Sequence, residues 1–150
     1  MEPLMQDKRE VATLVPYRMR GTEPEFYLQM RALDAPTSPD RWGIFGGGLE
    51  SGEEKEDALL REIAEELQYV PKKHVFFSKY EHAKLINYVY IEEVDENFES
   101  HVEINNEAQY GRFLTEAEVM DSPKAGTVTR LIISQLSKYL SKNQIWLNSR

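Results

Sequence analysis

Glu62, Glu65 and Glu66 have the i, i+3 and i+4 spacing at which side chains of a helix meet on one face. At about 100° per residue, Ala58, Glu62, Glu65, Glu66 and Tyr69 share one arc, and Leu59, Leu60, Ile63 and Leu67 fill the arc beside it. Like charges at these spacings repel by roughly a few tenths of a kcal/mol per pair, so a helix selected only for stability would place Lys there. A positive partner is therefore expected, and a hard divalent cation with oxygen ligands is the simplest one. The competing reading is an acidic face turned to solvent, which is common on helices.

Gly46, Gly47 and Gly48 lie just upstream and let the backbone bend sharply and approach a neighbour closely. No Lys-Ser/Thr pair follows them, and the run does not fit Gly-x-Gly-x-x-Gly, so neither common phosphate cradle is present. What remains is a strand, a glycine turn and a helix whose inner face offers oxygen ligands.

Several elements must hold that arrangement. Glu10 to Met19 and Glu25 to Arg31 are rich in β-branched and aromatic residues, and the turn chemistry of Arg20 to Pro24 between them predicts a hairpin. Asp34 to Asp40 reads as a loop, and Arg41 to Leu49 as a short strand entering the glycine turn. The amphipathic pattern predicts a helix over Glu54 to Leu67, with Ser51 and Gly52 as capping residues and Pro71 barring any extension. His74 to Val94 predicts two strands, Asp95 to Glu107 a solvated acidic loop, and Gly111 to Leu114 a short strand. Thr115 to Glu118 resembles a capping box, and Thr127 to Leu140 predicts a second long helix. Strands mixed with two substantial helices indicate an α/β sandwich.

The 150-residue length suits a single domain spanning 1–150, with no linker or repeat. The net charge of −8 argues against a general nucleic-acid or anionic-membrane partner, since both require a basic footprint. The absence of cysteine excludes disulfides, thiolate metal sites and cysteine nucleophiles. With no secretory signal pattern and no membrane-length apolar run, the expected location is the cytoplasm. The charge is concentrated: residues 47–69 hold eight acids and two bases, a balance of −6, leaving −2 for the rest of the chain.

The same residues resemble the Nudix box. Gly47, five residues, Glu53, seven residues and Arg61-Glu62-Ile63-x-Glu65-Glu66 follow its order, over residues 47–69. One departure stands out: Gln68 occupies the place of the box's final glycine, a helix end where a left-handed conformation is usual, and Tyr69 follows in place of an aliphatic residue. The hairpin, Arg31, Trp42, Glu107 and the Gly111 to Leu114 run extend the resemblance over roughly residues 8–140.

The resemblance implies a Nudix-like α/β/α sandwich with a mixed β-sheet between helices. It also implies a hydrolase that uses Mg²⁺ or Mn²⁺ to direct water at phosphorus in a nucleoside diphosphate linked to another moiety. By matched position, Glu62, Glu65 and Glu66 are expected to bind the metal, and Glu62 or Glu66 to assist deprotonation of the water. Glu53 and Arg61 are expected to form an ion pair tying the helix to the glycine loop. Glu107 is the expected carboxylate from outside the box, with Glu103 as runner-up. Arg31, Trp42, Gly47 and Gly48 are the expected substrate contacts, with Arg31 directed at a phosphate. No secondary signature for other substrates is present: Lys84-Leu85 stands where one proline would be, and Tyr88 falls too late for a tyrosine mark. Nucleoside triphosphates remain by elimination. A nucleotide-sensing module without turnover is the alternative, resting on the altered Gln68-Tyr69 end, and a homodimer is a further expectation from the family.

Overall fold

A computed structural model describes residues 8–82 and 84–148, with side chains as far as residue 142. The backbone of Arg9–Arg20 forms β1, whose alternating residues serve two cores at once. Ala12 and Leu14 point to one face of the sheet, Val15 to the other. The next strands are β2 (Glu23–Arg31), β3 (Trp42–Gly43) and β4 (Phe45–Gly48). The first helix, α1, spans Lys55–Leu67, and β5 (Val75–His82), β6 (Leu85–Glu93) and β7 (Ala108–Thr115) complete the sheet. Two helices close the chain, α2 (Glu116–Asp121) and α3 (Thr127–Asn148).

These strands make one seven-stranded mixed sheet. β1 runs parallel to β6 along Arg9–Tyr17, and antiparallel to β4 at one end and to β2 at the other. Because β2 diverges from β1 toward its C-terminus, the short β3 and β4 fit between them, which places the glycine run in the middle of the sheet. α1 packs Ala58, Leu59, Ile63 and Leu67 against Ala12, Leu14, Phe45 and Tyr90 on one face. α3 packs Ile132, Ile133, Leu136 and Leu140 against Phe26, Leu28, Val89 and Ile91 on the other. The expected α/β/α sandwich is the observed architecture. Among the described residues no helix is long and apolar enough to cross a membrane.

Local details depart from the sequence expectations in informative ways. Ser51 and Gly52 do not cap α1; the N-cap position is Glu54, which makes no side-chain capping bond. The acid best placed to cap, Glu53, is instead committed to Arg61 and to the Glu50 N–H. The segment from Asp95 to Glu107 is more than a solvated loop, for it contains a 3₁₀ turn, Phe98–His101, whose Phe98 ring is buried among Tyr27, Tyr69 and Phe113. The Thr115 capping box forms in full, with Thr115 accepting from the Glu118 N–H and Glu118 accepting from the Thr115 N–H. α3 runs to Asn148, eight residues beyond the expected Leu140.

Candidate active site

α1 presents its apolar stripe to the sheet, so the acidic arc beside that stripe falls along the boundary between helix and glycine strand. Glu66 lies deepest, only 5% exposed. Its Oε2 accepts a 2.7 Å hydrogen bond from the Gly46 N–H. Burial pushes the Glu66 carboxyl up to about 8, against that bond, and the neighbouring charges of Glu62 and Glu107 push in the same direction as burial. Glu62 and Glu107 therefore repel the Glu66 charge, and of the three only Glu66 is buried.

Two glycines make the arrangement possible. Gly46 has φ +136°, and a Cβ there would meet the Ala12 carbonyl oxygen at 2.2 Å, so only glycine lets β4 lie this close to β1. At Gly47 a Cβ would meet the Glu62 carboxyl carbon at 2.5 Å, so the absent side chain is the space that Glu62 fills. The site was expected to use Gly47 and Gly48 on substrate; their geometry shows a nearer task. Gly48 leaves room for the Arg9 guanidinium, 3.2 Å from where its Cβ would stand.

Arg61 ties the helix to the glycine strand. It donates from Nε and Nη2 to the two oxygens of Glu53 at 3.0 and 2.9 Å, and from Nη2 to the Gly48 carbonyl at 3.0 Å. The same guanidinium donates to Glu62 at 3.0 Å and lies 3.7 Å from Glu65. Hydrogen bonding to Arg61 is the main reason the Glu53 carboxyl is held down to about 2. This fork of donors needs arginine, since a lysine ammonium cannot span both carboxylate oxygens in one plane.

The C-terminal end of α1 is held by the 95–107 segment. The Glu103 N–H donates to the Leu67 carbonyl, the Asn105 N–H to the Glu66 carbonyl, and the Asn105 side chain to the Glu65 carbonyl. Asn105 thus satisfies carbonyls that a helix end leaves open, and it brings Glu107 within electrostatic reach of Glu66. The departure at Gln68 is accommodated: it adopts φ 49°, ψ 43°, the left-handed conformation that ends the helix, and its N–H returns to Ala64. Tyr69 donates its hydroxyl to Glu92, a carboxylate only 2% exposed that also accepts from the Lys72 and Lys73 N–H groups.

The structure brings together Glu53, Arg61, Glu62, Glu65, Glu66, Gly47, Gly48 and, through the 95–107 segment, Glu107. Arg31 lies on the same face of β2 as Tyr27 and Gln29 but at its far end, where it donates to Thr37. Trp42 is a correction. Its register against Met30 turns the ring to the α3 face, where it is 5% exposed, so it does not line a cleft with the carboxylates. Sequence reasoning missed Gln29, Asn105 and Arg9. Only Gln29, a polar residue within an apolar strand, carried a local signal.

A divalent cation fits this donor set. Glu62, Glu65, Glu66 and Glu107 offer hard oxygen donors, and the charge of buried Glu66, opposed by Glu62 and Glu107, is what such an ion relieves. Among the described residues no three acidic or His side chains are already gathered as a metal cluster. Glu62 is engaged by Arg61, and Glu66 by Gly46.

Comparison with known proteins agrees with this geometry. The NUDIX domain family model matches residues 7–134. A nucleoside triphosphatase, NudI of Escherichia coli, is 50% identical over 42 residues, covering 28% of this chain. That match spans 30% of the length of the curated relative. The MutT protein of Methanosarcina mazei Go1 superposes with a TM-score of 0.71 at 18% identity, over 91% of this chain and 98% of the other. The NUDIX domain of Shewanella oneidensis NrtR, complexed with ADP ribose, gives a TM-score of 0.71 at 18% identity over 89% and 88%. At such identities the solved structures establish the fold.

Proposed function

The chain belongs to the Nudix family, and from that premise we propose that it is a divalent-cation-dependent hydrolase of a nucleotide diphosphate linkage. Nucleoside triphosphates are the favoured substrates. The observation that supports this reading is the seating of two box carboxylates against the glycine strand, Glu62 in the space left by Gly47 and Glu66 on the Gly46 N–H, with Glu107 near enough to raise the Glu66 carboxyl. The partial match to NudI, named a nucleoside triphosphatase, supports the substrate class.

Glu62, Glu65, Glu66 and Glu107 would hold Mg²⁺ or Mn²⁺. When bound, the ion supplies positive charge to the diphosphate and makes water a better nucleophile. Arg61 holds Glu62 against the glycine strand and stabilises the acidic cluster in the meantime. Glu62 or Glu66 would accept the proton of the attacking water. Arg31, which donates to the Thr37 carbonyl at the far end of β2, would meet a phosphate remote from the reacting one.

The sensing alternative rested on the altered end of the box. Gln68 ends the helix as the family glycine does, so that change removes no ligand and gives the alternative no support. A screen of nucleotide diphosphates with Mg²⁺ and Mn²⁺, read by mass spectrometry, tests the activity directly. Glu62→Gln and Glu66→Gln are expected to abolish it. Unchanged release of phosphate or pyrophosphate in both variants would remove these residues from catalysis.

A further inference from the structure

The last turn of a helix leaves its carbonyls without partners inside the helix. In α1 these belong to Ala64, Glu65, Glu66 and Leu67, and each one is met. The Gln68 N–H donates to Ala64 at 3.0 Å, and the crossing 95–107 segment supplies the rest. The Glu103 N–H donates to Leu67 at 2.9 Å and the Asn105 N–H to Glu66 at 3.0 Å, while Asn105 Nδ2 donates to Glu65 at 3.2 Å. One residue, Asn105, thus grips the backbone of two box glutamates.

The other end of its amide turns away from the helix. Asn105 Oδ1 accepts the Glu107 N–H at 3.0 Å, an Asx turn in which a short side chain stands in for backbone. The Glu107 carbonyl accepts from the Ala32 N–H at 3.1 Å, so the peptide groups on both sides of this residue are held. The partners fix the orientation of the amide, because only its NH₂ can face a carbonyl and only its oxygen can face an N–H. Aspartate accepts but cannot donate, serine can form the turn but is too short for the helix, and alanine does neither. Phe98 anchors the same segment earlier in the chain, by apolar contact with Tyr27 and Tyr69, and leaves the approach of Glu107 to α1 to be set locally.

We propose that Asn105 is a positioning residue of the ion site: by joining the Glu65 carbonyl to the Glu107 N–H through one amide, it holds Glu107 at the C-terminal turn of α1, where the box carboxylates stand. The bland alternative is an amide that only completes the helix end. Such an amide affects stability alone, whereas a positioning residue acts on ion affinity, and does so through Glu107. This role rests on the hydrolase reading, and the test separates the two.

Asn105→Ala and Asn105→Ser are each made in the wild-type and in the Glu107→Ala background, and all proteins are compared well below their unfolding midpoints. Mn²⁺ affinity is measured by electron paramagnetic resonance without nucleotide, and turnover of nucleotides is measured alongside. Residues that support metal ligands are commonly worth roughly 10–100-fold in affinity or activity. Asn105→Ala is expected to lose Mn²⁺ affinity in that range, and Asn105→Ser, which keeps the turn but not the helix bond, to fall between it and wild type. In the Glu107→Ala background either change should alter Mn²⁺ affinity by less than about twofold, because the group being positioned is gone. Should Asn105→Ala not fold, the two Asn105→Ser proteins decide. A loss of equal size in both backgrounds, or no loss in either, overturns the proposal. So does wild-type Mn²⁺ affinity in Glu107→Ala, or a wild type without saturable Mn²⁺ binding. Wild-type turnover beside any of these results leaves the hydrolase reading standing. Absence of wild-type turnover on every nucleotide overturns that reading, while the Mn²⁺ comparison still decides whether Asn105 acts through Glu107.

Discussion

Replacing Glu66 by Gln in metal-free protein isolates the cost of a buried acid. The carboxyl stands at about 8 in the folded chain against an ordinary 4.5, chiefly because of burial. A carboxyl raised on folding takes up a proton when the chain folds, at any pH between those two values. Stability is therefore undiminished below about 4.5 and falls as the pH rises toward 8. At about 1.4 kcal/mol per pH unit the full gap corresponds to roughly 5 kcal/mol, and relaxation around the charge brings the expected loss to about 3–5 kcal/mol. Gln cannot ionise and still offers an oxygen to the Gly46 N–H. The Glu53–Arg61 pair is common to both proteins, so the pH dependence of its own carboxyl, depressed to about 2 on folding, cancels in the difference. Denaturant unfolding with a chelator present, at pH 4.5, 6 and 8, should show Glu66→Gln close to wild type at the lowest pH. At pH 8 the variant should be the more stable protein by the amount above. A difference that does not change with pH, or a variant less stable at pH 8, would refute the claim that burial opposes the Glu66 charge.

Other perturbations test other parts of the site. Mg²⁺ or Mn²⁺ added at pH 8 should raise the thermal midpoint of wild type and leave that of Glu66→Gln nearly unmoved, as differential scanning fluorimetry will show. Gly47→Ala puts a methyl group where the Glu62 carboxyl lies, so kcat should fall by at least about tenfold while circular dichroism stays native. Gly46→Ala meets both an unfavourable φ and the Ala12 carbonyl, and is expected to cost roughly 2–5 kcal/mol in a chemical unfolding experiment. Gln68→Gly relieves a left-handed non-glycine residue, and a gain of about 0.5–1 kcal/mol with unchanged kcat is expected.

The acidic arc of α1 was legible because helical periodicity is local: Leu59, Ile63 and Leu67 define the buried side, and the positions of Glu62, Glu65 and Glu66 follow from spacing alone. The capping box at Thr115 was legible for the same reason. Trp42 was misplaced because a two-residue strand carries no periodicity of its own. Its face is set by pairing with Met30, a partner twelve positions away. The 95–107 segment read as solvated because its acids dominate the composition, yet one residue, Phe98, anchors it against Tyr27 and Tyr69.

By itself, then, the amino-acid order determined the chemical types and the shared face: carboxylates on a helix after a glycine strand. The difference among those carboxylates came only from the tertiary structure. Glu65 is 60% exposed at its side chain, and Glu62 is held by Arg61. Glu66 is buried beneath the glycine strand, where the Gly46 N–H meets one of its oxygens. The energy of a charge depends on how much water surrounds it and which dipoles replace that water. Here those replacements come from strands and loops far along the chain, so helical spacing alone is silent about them.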